Sequence, residues 1–270
     1  MAQYETLLFT IEKHIAHVKF NRPDKANALN GLAWKEIRSV FEEIDSDEEV
    51  RVVVLSGEGK HFCSGIDLSL LMTVASSEEH DEARKRENLR KQILHLQASV
   101  SSVELCSKPV LAAISGGCIG AGVDIISACD MRYASEDAFF SIKEIDMGMV
   151  ADLGTLQRLP RLIPDGIIRE LAFTGRNVSG KEAERIGLVN HCFDNREDLL
   201  KSVFEIAATI ALKSPVSIRG TKHILNYSRD HSIADGLNYI ATWNAAMLLS
   251  EDLNEAFRAK TEKREPHFRN

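Results

Sequence analysis

VLAAISGGCIGAGVDIISA, residues 110–128, reads as a short buried strand, a turn dense in glycine, and a helix that starts at once. Val110 to Ile114 is an uninterrupted apolar run of strand length, and Gly116, Gly117, Gly120 and Gly122 follow before the apolar spacing turns helical. Amides at such a helix start attract anions, which first suggests a phosphate or dinucleotide site. Neither specific motif is met, because the run lacks the GxGxxG spacing and no GKS or GKT follows it. The same geometry serves acyl chemistry: exposed N–H groups at a tight turn can hold the oxyanion that develops on a thioester carbonyl. Such a site needs two donors, and the loop Phe62 to Leu68 (FCSGIDL), after the buried run Arg51 to Leu55, is a candidate for the other.

Around this centre the chain reads as strand, helix, strand, loop. LLFTI and IAHVKF, within residues 6–20, are β-like and end at the turn Asn21-Arg22-Pro23-Asp24. Leu32 to Ile44 has helical spacing, and residues 77–105 are charged and periodic, with Leu89, Ile93 and Leu96 on one face that covers a core. After Asp165 helices dominate: 166–173, 180–186, 197–212, 216–227, 232–249 and 251–262. An α/β core over residues 1–195 with a helical region over 196–270 is expected.

Composition narrows the function. The chain has 270 residues, 44% hydrophobic and 27% charged with 6 prolines, which suits a globular fold. The net charge of -7 argues against a nucleic-acid partner, and the basic clusters at 84–91 and 260–264 are interleaved with acids. Five scattered cysteines without a CxxC pair point to a reduced protein, and His61 with Cys63, the one close His/Cys grouping, stands alone in a loop, so no metal site is expected. No apolar run approaches the ~20 residues of a membrane span, and residues 1–20 lack a signal-peptide pattern, so the expected location is cytoplasmic.

Three acids stand among apolar or small neighbours: Asp124 in GAGVDIIS, Glu144 in FFSIKEIDMG and Asp152 in GMVADLGT. Burial raises a carboxyl pKa and nearby donors lower it, so such groups are tunable for proton transfer, although each can equally cap a helix. Asp67 is expected to cap the helix after it, Glu136, Asp137 and Asp146 to be exposed or structural, Asp130 to pair with Arg132, and Cys63 and Cys118 to be packed thiols.

The segments NRPDKANALN (21–30), FCSGID (62–67), Gly116 to Cys129 and SEDL (250–253) together resemble the crotonase, or enoyl-CoA hydratase/isomerase, superfamily. The resemblance implies a spiral of ββα units, a helical C-terminal trimerisation region, and a homotrimer or dimer of trimers. It also implies a coenzyme-A pocket with the amides of Ile66 and Ala121 as oxyanion donors. Many relatives have glycine where Ala121 stands, which is harmless if the backbone there does not require positive φ. Lys25, Ala26 and Asn27 match the loop bordering the coenzyme-A adenine, and Ser64, Gly65, Ile66, Asp67 and Leu68 the loop along the substrate. Hydratases of the superfamily commonly carry glutamates at positions 124 and 144. The trio Asp124, Glu144 and Asp152 instead resembles that of Δ3,5-Δ2,4-dienoyl-CoA isomerases, which implies Glu144 as the C2 base, Asp152 as the C6 acid and Asp124 as a polarising group. That reaction needs no metal or redox cofactor, coenzyme A being part of the substrate. An enoyl-CoA hydratase, or a non-catalytic acyl-CoA-binding protein of the same fold, is the alternative.

Overall fold

The computed structural model describes residues 4–75 and 81–270. The chain begins with a hairpin of β1 (Leu7–Glu12) and β2 (Ile15–Phe20), joined by Lys13 and His14, both at positive φ as a two-residue hairpin turn demands. Helix α1 (Gly31–Ser46) is capped by Asn30, whose side chain accepts from the Ala33 amide at 2.8 Å, and it buries Trp34, Ile37, Val40, Phe41 and Ile44. Strand β3 (Val52–Gly57), α2 (Leu68–Ala75) and the long α3 (Glu82–Leu105) follow. The sequence places the start of this last helix at Ser77, which lies outside the described residues; within them Asp81 caps it.

Next come β4 (Val110–Ile114), β5 (Gly117–Ile119), α4 (Ala121–Ala128), β6 (Met131–Ser135) and β7 (Phe139–Ser141). Short helices α5 (Thr155–Arg158) and α6 (Asp165–Thr174), strand β8 (Val178–Ser179), α7 (Gly180–Arg185) and β9 (His191–Phe193) lead to α8 (Arg196–Ala211), α9 (Pro215–Arg229), α10 (Ile233–Met247) and α11 (Glu251–Glu262).

Six strands form one sheet in the order β1-β2-β3-β4-β6-β9, parallel except for β1, and β5-β7-β8 form a second, smaller sheet. The chain thus lays one strand in the large sheet and the next in the small one, as in β4 then β5 and β6 then β7, which gives the repeated two-strand turns of a spiral. Both faces of the large sheet are covered, so its strands read as unbroken apolar runs. Val53, Leu55, Ala112 and Ile114 face the main core with α1, α3 and α4, whereas Val52, Val54, Leu111 and Ala113 face α8.

This packing moves the division expected at 195/196. Leu199, Val203, Ala207 and Ala211, spaced four apart, form the lid of the second core, so α8 belongs with the sheet and the helical appendage starts at α9. The appendage is anchored by Lys222, a buried cation whose Nζ donates to the Asp130 carboxylate at 2.7 Å and to the Lys108 carbonyl at 3.0 Å. The expected Asp130–Arg132 pair is therefore not the one formed. Arg132 instead donates to the carbonyls of Leu188 and Cys129, satisfying its buried guanidinium on backbone.

Candidate active site

Two isolated β-bridges hold the glycine loops together. In one, the Cys63 amide donates to the Gly117 carbonyl at 3.0 Å and the Ile119 amide donates to the Cys63 carbonyl at 2.9 Å. In the other, the Leu29 amide donates to the Gly65 carbonyl at 2.8 Å and the Asp67 amide to the Leu29 carbonyl at 2.9 Å. Successive residues of an extended chain direct their amides to opposite sides, so with Asp67 bonded to Leu29 the Ile66 N–H turns the other way. Ala121 opens α4, where a first-turn amide has no partner inside the helix.

Close approach of these loops depends on missing side chains. A Cβ on Gly65, at φ +98°, would stand 3.1 Å from the Ile119 carbonyl oxygen and 3.6 Å from the Ala121 nitrogen. The positive φ values of the second loop fall on Gly116, at +61°, and Gly120, at +53°, and not on Ala121, so the backbone there accommodates alanine.

The three acids expected from sequence line one cavity. Asp124 sits one turn after Ala121, Glu144 comes from the tight turn Lys143–Met147 after β7, and Asp152 precedes α5. Together with Ile66 and Ala121 they line a space of about 820 Å³ whose remaining wall is largely apolar. Asp124 is 1% exposed and its Oδ1 accepts from the Thr155 amide at 2.7 Å. Burial lifts its pKa to about 6, against the opposing Thr155 hydrogen bonds and with help from the negative charge of Asp152. Glu144 rises to about 7, first through burial and then through Asp124 and Asp152 beside it. Among the described residues its buried Oε2 has no hydrogen-bond partner, and neither has the buried hydroxyl of Thr155. Asp152 is more open, fixed through its carbonyl by Gln97 Nε2 at 2.6 Å, and partial burial raises its carboxyl too.

A second hollow of about 430 Å³ adjoins the first and shares Ile66, Ala121, Glu144 and Met149 with it. Lys25, Ser64, Gly65, Ile66, Asp67 and Leu68 line it. Ala26 and Asn27 stand apart: Ala26 accepts from the Ser64 amide at 3.0 Å, and the Asn27 side chain, 1% exposed, bonds Arg22, Glu58 and His61 backbone, so both build the turn. Asp67 accepts from Ser69 at the start of α2 and pairs with Arg22 at 3.1 Å, contacts that hold its carboxyl below the usual range. His61 is turned to the glycine loop, its Nδ1 accepting from the Gly117 amide at 2.9 Å, and burial pushes the Cys63 thiol up to about 12. Neither arrangement makes a nucleophile.

Other cavity walls were not marked as functional in the sequence. Trp34, Leu70, Leu89, Ile93, Leu96 and Met149 line the larger space. The Leu89, Ile93 and Leu96 stripe was legible, but as a core cover; Leu89 is 42% exposed because the stripe faces a cavity.

The family model for enoyl-CoA hydratase/isomerase matches residues 10–270. The chain is 48% identical to the peroxisomal Δ(3,5)-Δ(2,4)-dienoyl-CoA isomerase of Arabidopsis thaliana, over 99% of this chain and 98% of that one. It is 46% identical to the mitochondrial Δ(3,5)-Δ(2,4)-dienoyl-CoA isomerase of Homo sapiens, over 97% of this chain and 81% of that one. A crystal structure of an enoyl-CoA hydratase from Bacillus anthracis superimposes with a TM-score of 0.89 at 30% identity, covering 98% of this chain and 99% of that one. The mixed α/β crotonase-like fold is shared with it. The compartments in the two isomerases' names overturn the cytoplasmic expectation. Free thiols and a polar start are equally compatible with an organelle lumen, so neither argues for the cytoplasm. By sequence and fold alike, this chain belongs to the enoyl-CoA hydratase/isomerase family.

Proposed function

We propose that the chain converts 3,5-dienoyl-CoA to 2,4-dienoyl-CoA. The observation that carries this reading is the single largely apolar cavity faced by three carboxylates with raised proton affinity and by the Ile66 and Ala121 amides. Glu144 removes a C2 proton, the electron pair moves into the thioester as a dienolate held by the two amides, and protonated Asp152 delivers a proton to C6. The double bonds thereby pass from C3–C4 and C5–C6 to C2–C3 and C4–C5. Asp124 stays between them as a fixed charge that keeps the affinity of Glu144 for its proton high. The thioester end lies in the smaller hollow beside Lys25 and Ser64, and coenzyme A enters only as part of the substrate. No metal or redox group has a step in this scheme.

The same reading makes the exposed apolar residues Ile233, Leu237, Leu249 and Phe257 of the C-terminal region a contact between copies in a homotrimer or a pair of trimers. Sedimentation of the purified protein tests this; a monomer at micromolar concentration would exclude it.

The activity is tested by supplying a 3,5-dienoyl-CoA and a 2-enoyl-CoA separately. Growth of conjugated-diene absorbance with the first is the expected result. Turnover of the second alone would make the protein a hydratase, and turnover of neither would leave a binding protein.

A further inference from the structure

Asp152 lies on a wall between two spaces of opposite character. On one side is the acyl cavity; on the other is a separate cavity of about 360 Å³ that shares only Asp152 and Leu153 with it. The second space is polar, with Gln97, Ser101, Glu104, Arg158, Arg161 and Asp230 in its wall. Its inner end is ordered by the Arg158–Glu104 pair, whose side chains are 13% and 15% exposed, and its outer edge by Arg161–Asp230, whose side chains are 47% and 56% exposed. Those neighbouring acids have arginine partners, whereas the Asp152 side chain makes no ion pair among the described residues.

The chemistry requires something of this position. On the isomerase reading, on which this inference rests, each turnover leaves Glu144 one proton richer and Asp152 one proton poorer. Glu144 returns its proton to solvent through the cavity mouth as product leaves. Asp152 must regain one, and on the acyl side its neighbour is a hydrocarbon chain that carries no exchangeable proton.

We propose that the arginine-walled cavity is the route by which solvent reprotonates Asp152 from behind, independently of the acyl cavity. Bulk acid passes a proton to the Asp152 carboxylate through the water there: hydronium gives up one proton, the carboxylate becomes the acid, and water is left. The acid thus recharges while acyl-CoA occupies the front.

Narrowing the cavity tests this. Ser101 lies on α3 facing Arg158, whose Nη2 donates to its hydroxyl at 3.3 Å, so Ser101→Val and Ser101→Leu fill the route in two steps. The proteins are run in D2O at saturating 3,5-dienoyl-CoA, with kcat, KM and the hydrogen isotope at C6 measured. The wild type should place deuterium at C6 in nearly every product molecule. In the leucine variant kcat should fall about tenfold, a fraction of what general acid catalysis contributes, with the valine variant between them and KM little moved. A growing share of product should carry ordinary hydrogen at C6, because a proton taken from C2 is then reused inside the closed front cavity. A merely structural defect lowers the rate without changing the origin of that hydrogen. Unaltered rate and isotope content in both variants would overturn the route while leaving the isomerase reading intact, as would C2-derived hydrogen at C6 in the wild type. Absence of conjugated diene from the wild type would remove the isomerase reading and this inference with it.

Discussion

Glu104 and Glu144 are the same residue in comparable burial on opposite sides of Asp152, and they have opposite acid strengths. Burial alone would raise Glu104, but hydrogen bonds and charge from Arg158, at 2.9 Å, and from Arg229 outweigh it and hold the carboxyl below its usual range. Among the described residues Glu144 has no such partner, its neighbours are two further carboxylates, and it rises to about 7. Burial therefore does not by itself leave a carboxylate with raised proton affinity; withholding the cation does. Behind Asp152 stands a carboxylate that keeps its charge, and in front of it one that can take up a proton near neutral pH.

The contrast breaks most visibly at Glu144. Glu144→Gln keeps the shape and removes the base, so kcat should fall roughly 10³-fold, within the range general base catalysis supplies, while KM changes little. A loss below tenfold in a diene-forming assay would show that another group takes the C2 proton.

Asp152→Asn comes next, with kcat falling about 10²-fold. Exchange of the C2 hydrogen with D2O should continue in this variant, because Glu144 and the amides remain. Loss of that exchange along with turnover would mean that the two carboxylates do not divide the work between C2 and C6.

Behind Asp152, Glu104→Gln leaves Arg158 and Arg229 without their carboxylate. Urea unfolding at neutral pH should show a loss of about 2 kcal/mol, below the cost of breaking a fully buried pair because both partners are partly solvated. An unmoved unfolding midpoint would make this network a surface feature.

The last effect concerns Asp124 and has the opposite sign. Its folded pKa, about 6, lies above its ordinary 3.8, so the folded state holds the proton more tightly and the ionised carboxylate destabilises it. This penalty is absent below about pH 4 and complete above about pH 6. Asp124→Asn should accordingly stabilise the protein at pH 7 by about 3 kcal/mol, the worth of a shift of about two pKa units, with the gain vanishing in acid. It should also move the rising limb of kcat/KM, set by Glu144 near 7, to lower pH, since a negative neighbour is gone. A limb that stays in place would uncouple the two acids.

Much of this was legible because it is local. The run VLAAI, buried on both faces, and the glycines after it announce β4, the turn and α4 directly. The three acids stood out because apolar neighbours surround them. What stayed hidden depends on distant pairing. Strands β5, β7 and β8 span three, three and two residues, too short for a period to register. Lys222 reads as an ordinary helix-face cation, and only folding brings it to Asp130, which local proximity had given to Arg132. Nor does an apolar stripe on α3 reveal whether it meets a core or an empty space. Asn27 sits in a loop matched to coenzyme A, yet its three side-chain bonds to backbone bind the turn itself.

All eight residues of α4 are buried, whereas α3 has only Ser99, Val100 and Val103 fully buried and leaves Leu89 and Leu94 open. The two walls of the acyl cavity thus have unequal freedom to change. An altered side chain on α4 disturbs the core and the Ala121 amide together, so that helix is closed to drift. The first half of α3 can be repainted residue by residue at small cost in stability, and a lineage of such enzymes can lengthen or shorten its preferred acyl chain there without rewriting its chemistry.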